Sequence, residues 1–174
     1  MRNKIFAALL CAVMLAFCAC GDKSEIDIPD GFQLASDDAA YYYFFVPTGW
    51  TVDITSTATS AYVSSSDPSS VSVMSWSSGV SDMTPEEWWD SFIPDFEKVY
   101  DEFTVESEEN MLLDGEAARS VIFTATLGDV KYKFRQIAAV HESVVYVMTY
   151  TSTEDFFELH TEDVGKMAEY FEFK

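Results

Sequence analysis

Between residues 105 and 151 the chain reads as a run of alternating segments broken only by turn chemistry, which leaves little freedom in how it can fold. Leu113-Asp114-Gly115-Glu116 is a two-residue hairpin signal, because Asp-Gly readily supplies the positive φ angles that a tight turn between twisted strands needs. Gly128-Asp129 marks a second hairpin and His141-Glu142 a third. Strands over 105–113, 117–127, 130–140 and 144–151 then form a consecutive antiparallel meander.

The flanking segments add strands and helices to this meander. Phe32 and Leu34 begin a short strand, and Tyr41–Val46 is too apolar to have one wet face. Pro47-Thr48-Gly49 is a turn, and Trp50–Ile54 alternates as a strand does. Residues 55–81 are rich in Ser and Thr. Within them Ala61-Tyr62-Val63 and Val71–Trp76 alternate, giving two short strands joined at Asp67-Pro68. Thr84-Pro85-Glu86-Glu87 carries an N-cap threonine, a proline at the first helical position and a glutamate at the third. Trp89, Phe92, Ile93, Phe96, Tyr100 and Phe103 follow as one apolar stripe, with Pro94 predicting a kink or two short helices. Ser152–Glu154 cap a final helix with Phe157, His160, Val164, Met167, Ala168 and Phe171 on one side; Gly165 weakens it. The expected class is α+β: an antiparallel β-sheet with helices packed on both faces.

The first residues have a different character. Arg2 and Lys4 precede an uninterrupted apolar stretch, Ile5–Cys18, too short for a spanning helix of about 20 residues. Phe17-Cys18-Ala19-Cys20 followed by Gly21 resembles a bacterial lipobox. That resemblance implies cleavage before Cys20 and a diacylglycerol on its thiol; the alternative is an ordinary secretory signal cut after Ala19. Residues 1–19 are then a lipoprotein signal peptide, 20–30 the lipidated cysteine and a polar tether, and 31–174 a single domain. The expected location is extracytoplasmic, anchored to a bacterial membrane, with no cysteine left for a disulfide or a nucleophile.

Of 10 basic residues, Arg2 and Lys4 leave with such a leader, so 8 basic face 30 acidic side chains. This balance disfavours nucleic acid and anionic headgroups as partners, since both need a cationic face. The charges are spread along the chain, as on a solvated surface. Phe 14, Tyr 9 and Trp 4 argue for a packed core and against a disordered tail.

Residues 31–174 resemble the PsbP-like superfamily, which includes DcrB-type envelope lipoproteins. The matching features are the aromatic strand ending in Pro47, the Pro47-Thr48-Gly49-Trp50 turn and the mid-chain helix. Asp114-Gly115 between long strands, the Tyr146–Thr151 strand and the closing helix with Phe171-Glu172-Phe173 complete the match. The resemblance implies an α/β/α sandwich on an antiparallel sheet. It also implies adaptor-like roles with no shared catalytic machinery, and it carries over no metal ligands or cofactor.

Candidate chemistry is sparse. The two histidines, His141 and His160, fall in a predicted turn and on a helical apolar stripe, where neither needs a catalytic role. Carboxylates that could hold a metal are Glu162 or Asp163 with His160, or the group Glu106, Glu108 and Glu109. In the latter, Glu106 and Glu108 share one strand face and Glu109 lies on the other; solvated carboxylates are the simpler account. Lys131, Lys133 and Arg135 recur at period two on one strand face. With a two-residue His141-Glu142 loop, Lys133 stands opposite Tyr150 and Arg135 opposite Met148. This cationic and aromatic stripe suits an anionic ligand or acidic segment, or else balances charge with its stems lying over aromatics. Trp50 and Trp88-Trp89 are core residues or line a pocket.

These observations predict a non-enzymatic, lipid-anchored binding or accessory domain whose partner is an envelope protein or small ligand. A carrier or chaperone for a hydrophobic molecule is the alternative, and an unrecognised hydrolase the third.

Overall fold

The computed structural model describes residues 26–54, 58–77 and 83–174; Cys20, the leader and the start of the tether lie outside them. Seven antiparallel strands form the main sheet, in the order β4-β5-β6-β10-β9-β8-β7. They are β4 (Thr51–Ile54), β5 (Thr59–Tyr62), β6 (Ser70–Trp76), β7 (Asp101–Leu113), β8 (Glu116–Leu127), β9 (Val130–His141) and β10 (Val144–Thr153). Two small ribbons flank it: β1 (Phe32–Leu34) with β3 (Phe45–Pro47), and β2 (Tyr42–Tyr43) with β11 (Glu172–Phe173). Helix α1 spans Pro85–Val99, α2 spans Glu154–Phe157 and α3 spans Thr161–Glu169.

The meander β7–β10 follows local turn chemistry at two of its three corners. Asp114 and Gly115 take φ of 47° and 81°, the paired positive values of a type I′ turn. Gly128, at φ 62°, opens the second. At the third corner the loop is Glu142-Ser143, at φ 48° and 64°, and His141 pairs with Val144. The corner predicted at His141-Glu142 is therefore one residue too early. The reason is tertiary: the His141 ring stacks on Phe173 at 4.3 Å and its Nδ1 meets Glu116 Oε1 at 2.9 Å, contacts that keep it in the strand.

Strand β7 starts at Asp101 rather than 105, directly after α1. Its register against β8 slips between Asp101 and Thr104 and again between Val105 and Ser107, so two bulges interrupt the alternation on which a sequence reading depends.

Helix α1 begins as its sequence requires. Thr84 Oγ1 accepts from Glu87 N–H at 3.2 Å, and Glu87 Oε2 accepts from Thr84 N–H at 2.8 Å. The helix continues through Pro94 without splitting in two. Both Pro94 and Asp90, whose carbonyl loses its helical donor, are exposed, so water can satisfy the freed group. The closing helix, by contrast, is broken into α2, a 3₁₀ turn over Glu158–His160, and α3, and ends before Phe171. The break falls at His160, whose ring is tied to the β5–β6 turn.

Alternate residues of β10 enter two separate cores. Tyr146, Met148 and Tyr150 pack with Phe157, Val164, Met167 and Phe171 from the closing segment, and with Phe44, Val46 and Trp50. Val145 and Val147 pack with Trp88, Trp89, Phe123 and Phe134, against which Phe92, Ile93 and Phe96 of α1 lie. Phe123 is the hub of the second core, its ring stacked on Phe134 at 4.7 Å and on Phe96 at 5.9 Å, with Trp89 at 5.6 Å. Phe123→Ala should therefore cost about 3–5 kcal/mol in urea unfolding. Leu112→Ala, at a position 65% exposed, should stay within about 0.5 kcal/mol of the parent.

Candidate functional site

The basic stripe on β9 shares a sheet face with Ile137 and Ala139 of the first core. The observed register places Lys133 opposite Ser152 and Arg135 opposite Tyr150, two residues along from the predicted pairing because of the later corner. Each cation meets a carboxylate. Lys131 Nζ lies 3.0 Å from Glu154, Lys133 Nζ 2.9 Å from Glu106 and 3.6 Å from Glu158, and Arg135 3.1 Å from Glu109. Arg135 Nε also donates to Ser120 Oγ at 3.1 Å, and Lys133 Nζ sits 4.8 Å above the Phe157 ring. The hydrogen bond to Glu106, opposed by burial, holds the Lys133 ammonium above its ordinary pKa. Tyr150 is fully buried and donates to the Phe157 carbonyl at 3.0 Å, so it is a core residue out of a surface ligand's reach.

Two of these carboxylates, Glu106 and Glu109, reach the stripe through the second bulge of β7. Glu106 lies in the register slip, which brings Glu106 and Glu109 to cations on one face; Glu108 pairs instead with Arg119. The predicted division, Glu106 with Glu108 and Glu109 apart, is thereby reversed. Among the described residues no three His, Cys, Asp or Glu side chains converge on a point that could hold a metal ion.

His160 joins distant parts of the chain. Its Nε2 lies 2.8 Å from Asp67 Oδ2 in the β5–β6 turn, its Nδ1 3.8 Å from Asp163, and its ring meets Trp50 edge-on at 5.4 Å. Asp67 Oδ1 accepts the Ser69 N–H at 3.0 Å, and Ser69 Oγ is hydrogen-bonded to Ser152 Oγ at 2.8 Å. Burial alone would raise the Asp67 pKa, but the bonds from Ser69 and His160 outweigh it and hold the carboxyl below its ordinary value. With both ring nitrogens of His160 directed at carboxylates, this cluster ties the fold together and offers no activated nucleophile.

Concavities among the described residues border α1. A groove of about 560 Å³ lies between its first turn and the β7–β8 hairpin, walled by Pro85, Leu112 and Ala117. A smaller cleft, about 150 Å³, opens between α1 and the sheet, lined by Met74, Trp88, Phe92, Phe96, Gln136, Val147 and Thr149. The tryptophan pair is thus divided: Trp88 lines the cleft, while Trp89 is 1% exposed against Phe123. Gln136 is the functional candidate that sequence reasoning missed. The signal was available, since Gln136 interrupts the otherwise apolar face Phe134, Ala138, Val140.

The seven-stranded sheet and its helices invite comparison with solved structures. A cyanobacterial PsbP (CyanoP) from Synechocystis sp. PCC 6803 superposes with TM-score 0.62 at 14% identity, over 89% of this chain and 99% of that one. The fold is PsbP-like. The protein of unknown function PA94 from Pseudomonas aeruginosa matches with TM-score 0.57 at 18% identity, over 79% of this chain and 93% of the other. A weaker overlap, TM-score 0.45 at 15% identity over 85% and 81% of the two chains, is with LpqN, described as involved in cell envelope biogenesis of Mycobacterium tuberculosis. No protein-family model matches the sequence, and no curated protein matches it. Among the described residues no helix is long and apolar enough to cross a membrane.

The Asp67 link carries a signed pH dependence. A carboxyl more acidic in the folded than in the unfolded chain stabilises the fold fully above the ordinary carboxylate range, and loses that effect as pH falls through its lowered folded value. Asp67→Asn should lower stability by about 1 kcal/mol at pH 7. In denaturant titrations across pH, that gap should close below about pH 4.

Proposed function

We propose that this chain is a non-catalytic binding or accessory domain held outside the cytoplasm of a bacterium by a lipid on Cys20. In this reading residues 20–30 are the tether and 31–174 one α/β/α sandwich, with α1 on one face of the sheet and the closing segment on the other. The packing of alternate β10 residues into two cores supports that layering. The observation that carries the functional reading is how the polar groups are engaged: His141 and His160 bond to Glu116 and Asp67, and Lys131, Lys133 and Arg135 pair with carboxylates. The leader over residues 1–19, followed directly by Cys20, supports the location, and the partner is an envelope protein or a small ligand. A carrier of a hydrophobic molecule is the second reading, favoured by the aromatic walls of the cleft under Trp88.

Intact-mass analysis of the protein extracted from its host membrane, beside a Cys20→Ala variant, tests the location. The expected result is a chain beginning at Cys20 and carrying diacylglycerol, with the lipid lost on substitution. A chain that begins at Cys20 without lipid removes the membrane-anchored reading, and enzyme-like turnover of ester, peptide or glycoside substrates removes the non-catalytic one.

A further inference from the structure

We propose that the end of the domain from which residues 20–30 leave rests on the surface of the bilayer that holds Cys20, through apolar side chains on its turns. The inference goes beyond the binding-domain reading and rests on its lipid anchor. The register defines this end of the sheet. The Gly31 carbonyl accepts the Thr48 N–H at 2.9 Å in the β3–β4 turn, and Thr51, which opens β4, pairs with Tyr62 at the close of β5. The antiparallel order brings four further features to the same end: the start of β6, the close of β10, the β8–β9 turn and the junction of α1 with β7.

Apolar exposure is concentrated there. Val99 is 71% exposed where α1 ends, Leu127 and Val130 are exposed on either side of the β8–β9 turn, and Tyr62 is exposed at the close of β5. Leu159, 67% exposed, precedes His160, whose ring is tied to Asp67 in the β5–β6 turn of this end. Ile28, also exposed, stands three residues before Gly31. Among the described residues only Tyr41, Met74 and Leu112 are large, apolar and exposed elsewhere. Single exposed apolar side chains are ordinary, but their gathering where the tether leaves is not a requirement of packing. Leu127 and Val130 pair directly and prolong the rows Phe123–Phe134 and Ala125–Tyr132, the face that α1 covers further in.

Placement and charge select the occupant. The side chains stand on separate turns and element ends, an arrangement suited to a deformable lipid boundary, which they can enter without a spanning segment. Cys20 precedes Gly31 by 11 residues, a reach of at most about 40 Å, so the anchor keeps this end beside the bilayer and weak contacts are enough. Asp101, Glu102, Asp129 and Glu154 are exposed here, and Lys131 is paired with Glu154. The surface that fits is therefore zwitterionic; anionic headgroups and a second, equally acidic copy are repelled.

The test uses the mature chain from Cys20, whose thiol, alone in residues 20–174, is coupled to a maleimide phospholipid in phosphatidylcholine nanodiscs. Leucine and valine carry 13C-methyl groups, and some of the lipids carry a headgroup nitroxide. The nitroxide should broaden away the Val99, Leu127 and Val130 signals and leave Leu112, at the opposite end of the sheet, sharp. Leu127→Ser combined with Val130→Ser, both at exposed positions, should bring the Val99 signal back, and added phosphatidylglycerol should weaken the broadening of the parent chain. The proposal is overturned if Leu112 broadens as much as Leu127, if the serine variant leaves Val99 unchanged, or if phosphatidylglycerol strengthens the effect. Signals that stay sharp on both lipids also overturn it and leave this end to a protein partner. Because the lipid is attached chemically, each of these failures concerns the contact alone; absence of a native anchor would appear in the intact-mass measurement.

Discussion

Strand β10 is apolar on both sides, and the architecture follows from covering both. A strand with one wet face alternates polar and apolar residues; Val145–Met148 is buried without a break, so each face needs its own layer. The two cores draw on different parts of the chain. Helix α1, which leads into the meander, packs against Val145 and Val147, and the segment after β10 folds back over Tyr146, Met148 and Tyr150. Aromatic groups fill both cores, where each ring buries more area than an aliphatic side chain.

Charge is organised by the same sheet. The chain carries a formal net charge of −20, yet three of its cations, on β8 and β9, sit where β7 brings carboxylates to them. Arg119 and Lys133 are 13% and 19% exposed at their side chains, so loss of either partner, Glu108 or Glu106, would leave a poorly hydrated cation. The ladder also answers a hazard of topology. β7 is a long edge strand whose outer backbone groups could pair with another chain, and bulges with charged side chains discourage such pairing. One feature, Glu106 in its bulge, serves both ends.

Local signals in the sequence were reliable where the responsible contacts are local. The α1 capping box lies within four residues, and the Asp114-Gly115 corner needs only two residues that tolerate positive φ. The strand β5–β6 hairpin was legible through a Ser-rich stretch because Val71 and Val73 keep their alternation. What escaped was set at long range. His141 is drawn into β9 by Glu116 and Phe173, and His160 interrupts the closing helix while bound to Asp67, 93 residues away. The β7 bulge turned a correct period-two reading of Glu106, Glu108 and Glu109 into the wrong grouping, since one extra residue exchanges faces for all that follow. The basic stripe was legible as a stripe, but its counter-charges lie on β7 and in the Glu154–Glu158 turn, beyond any local pattern.

Gln136 belongs to a different category. A glutamine on an apolar face is a conflict between residue type and environment, and selection for stability alone would favour an aliphatic residue of similar length there. Other polar groups of the cores pair within the fold: Tyr150 donates to the Phe157 carbonyl, and Ser69 and Ser152 bond to each other, whereas Trp89 Nε1, like Gln136 Oε1, has no hydrogen-bond partner among the described residues. Gln136 lines the small cleft beside α1, yet its Oε1 is turned away from solvent. Both atoms are closed to solvent, so water does not relieve them and the cost of each unmet group is borne by the surrounding packing.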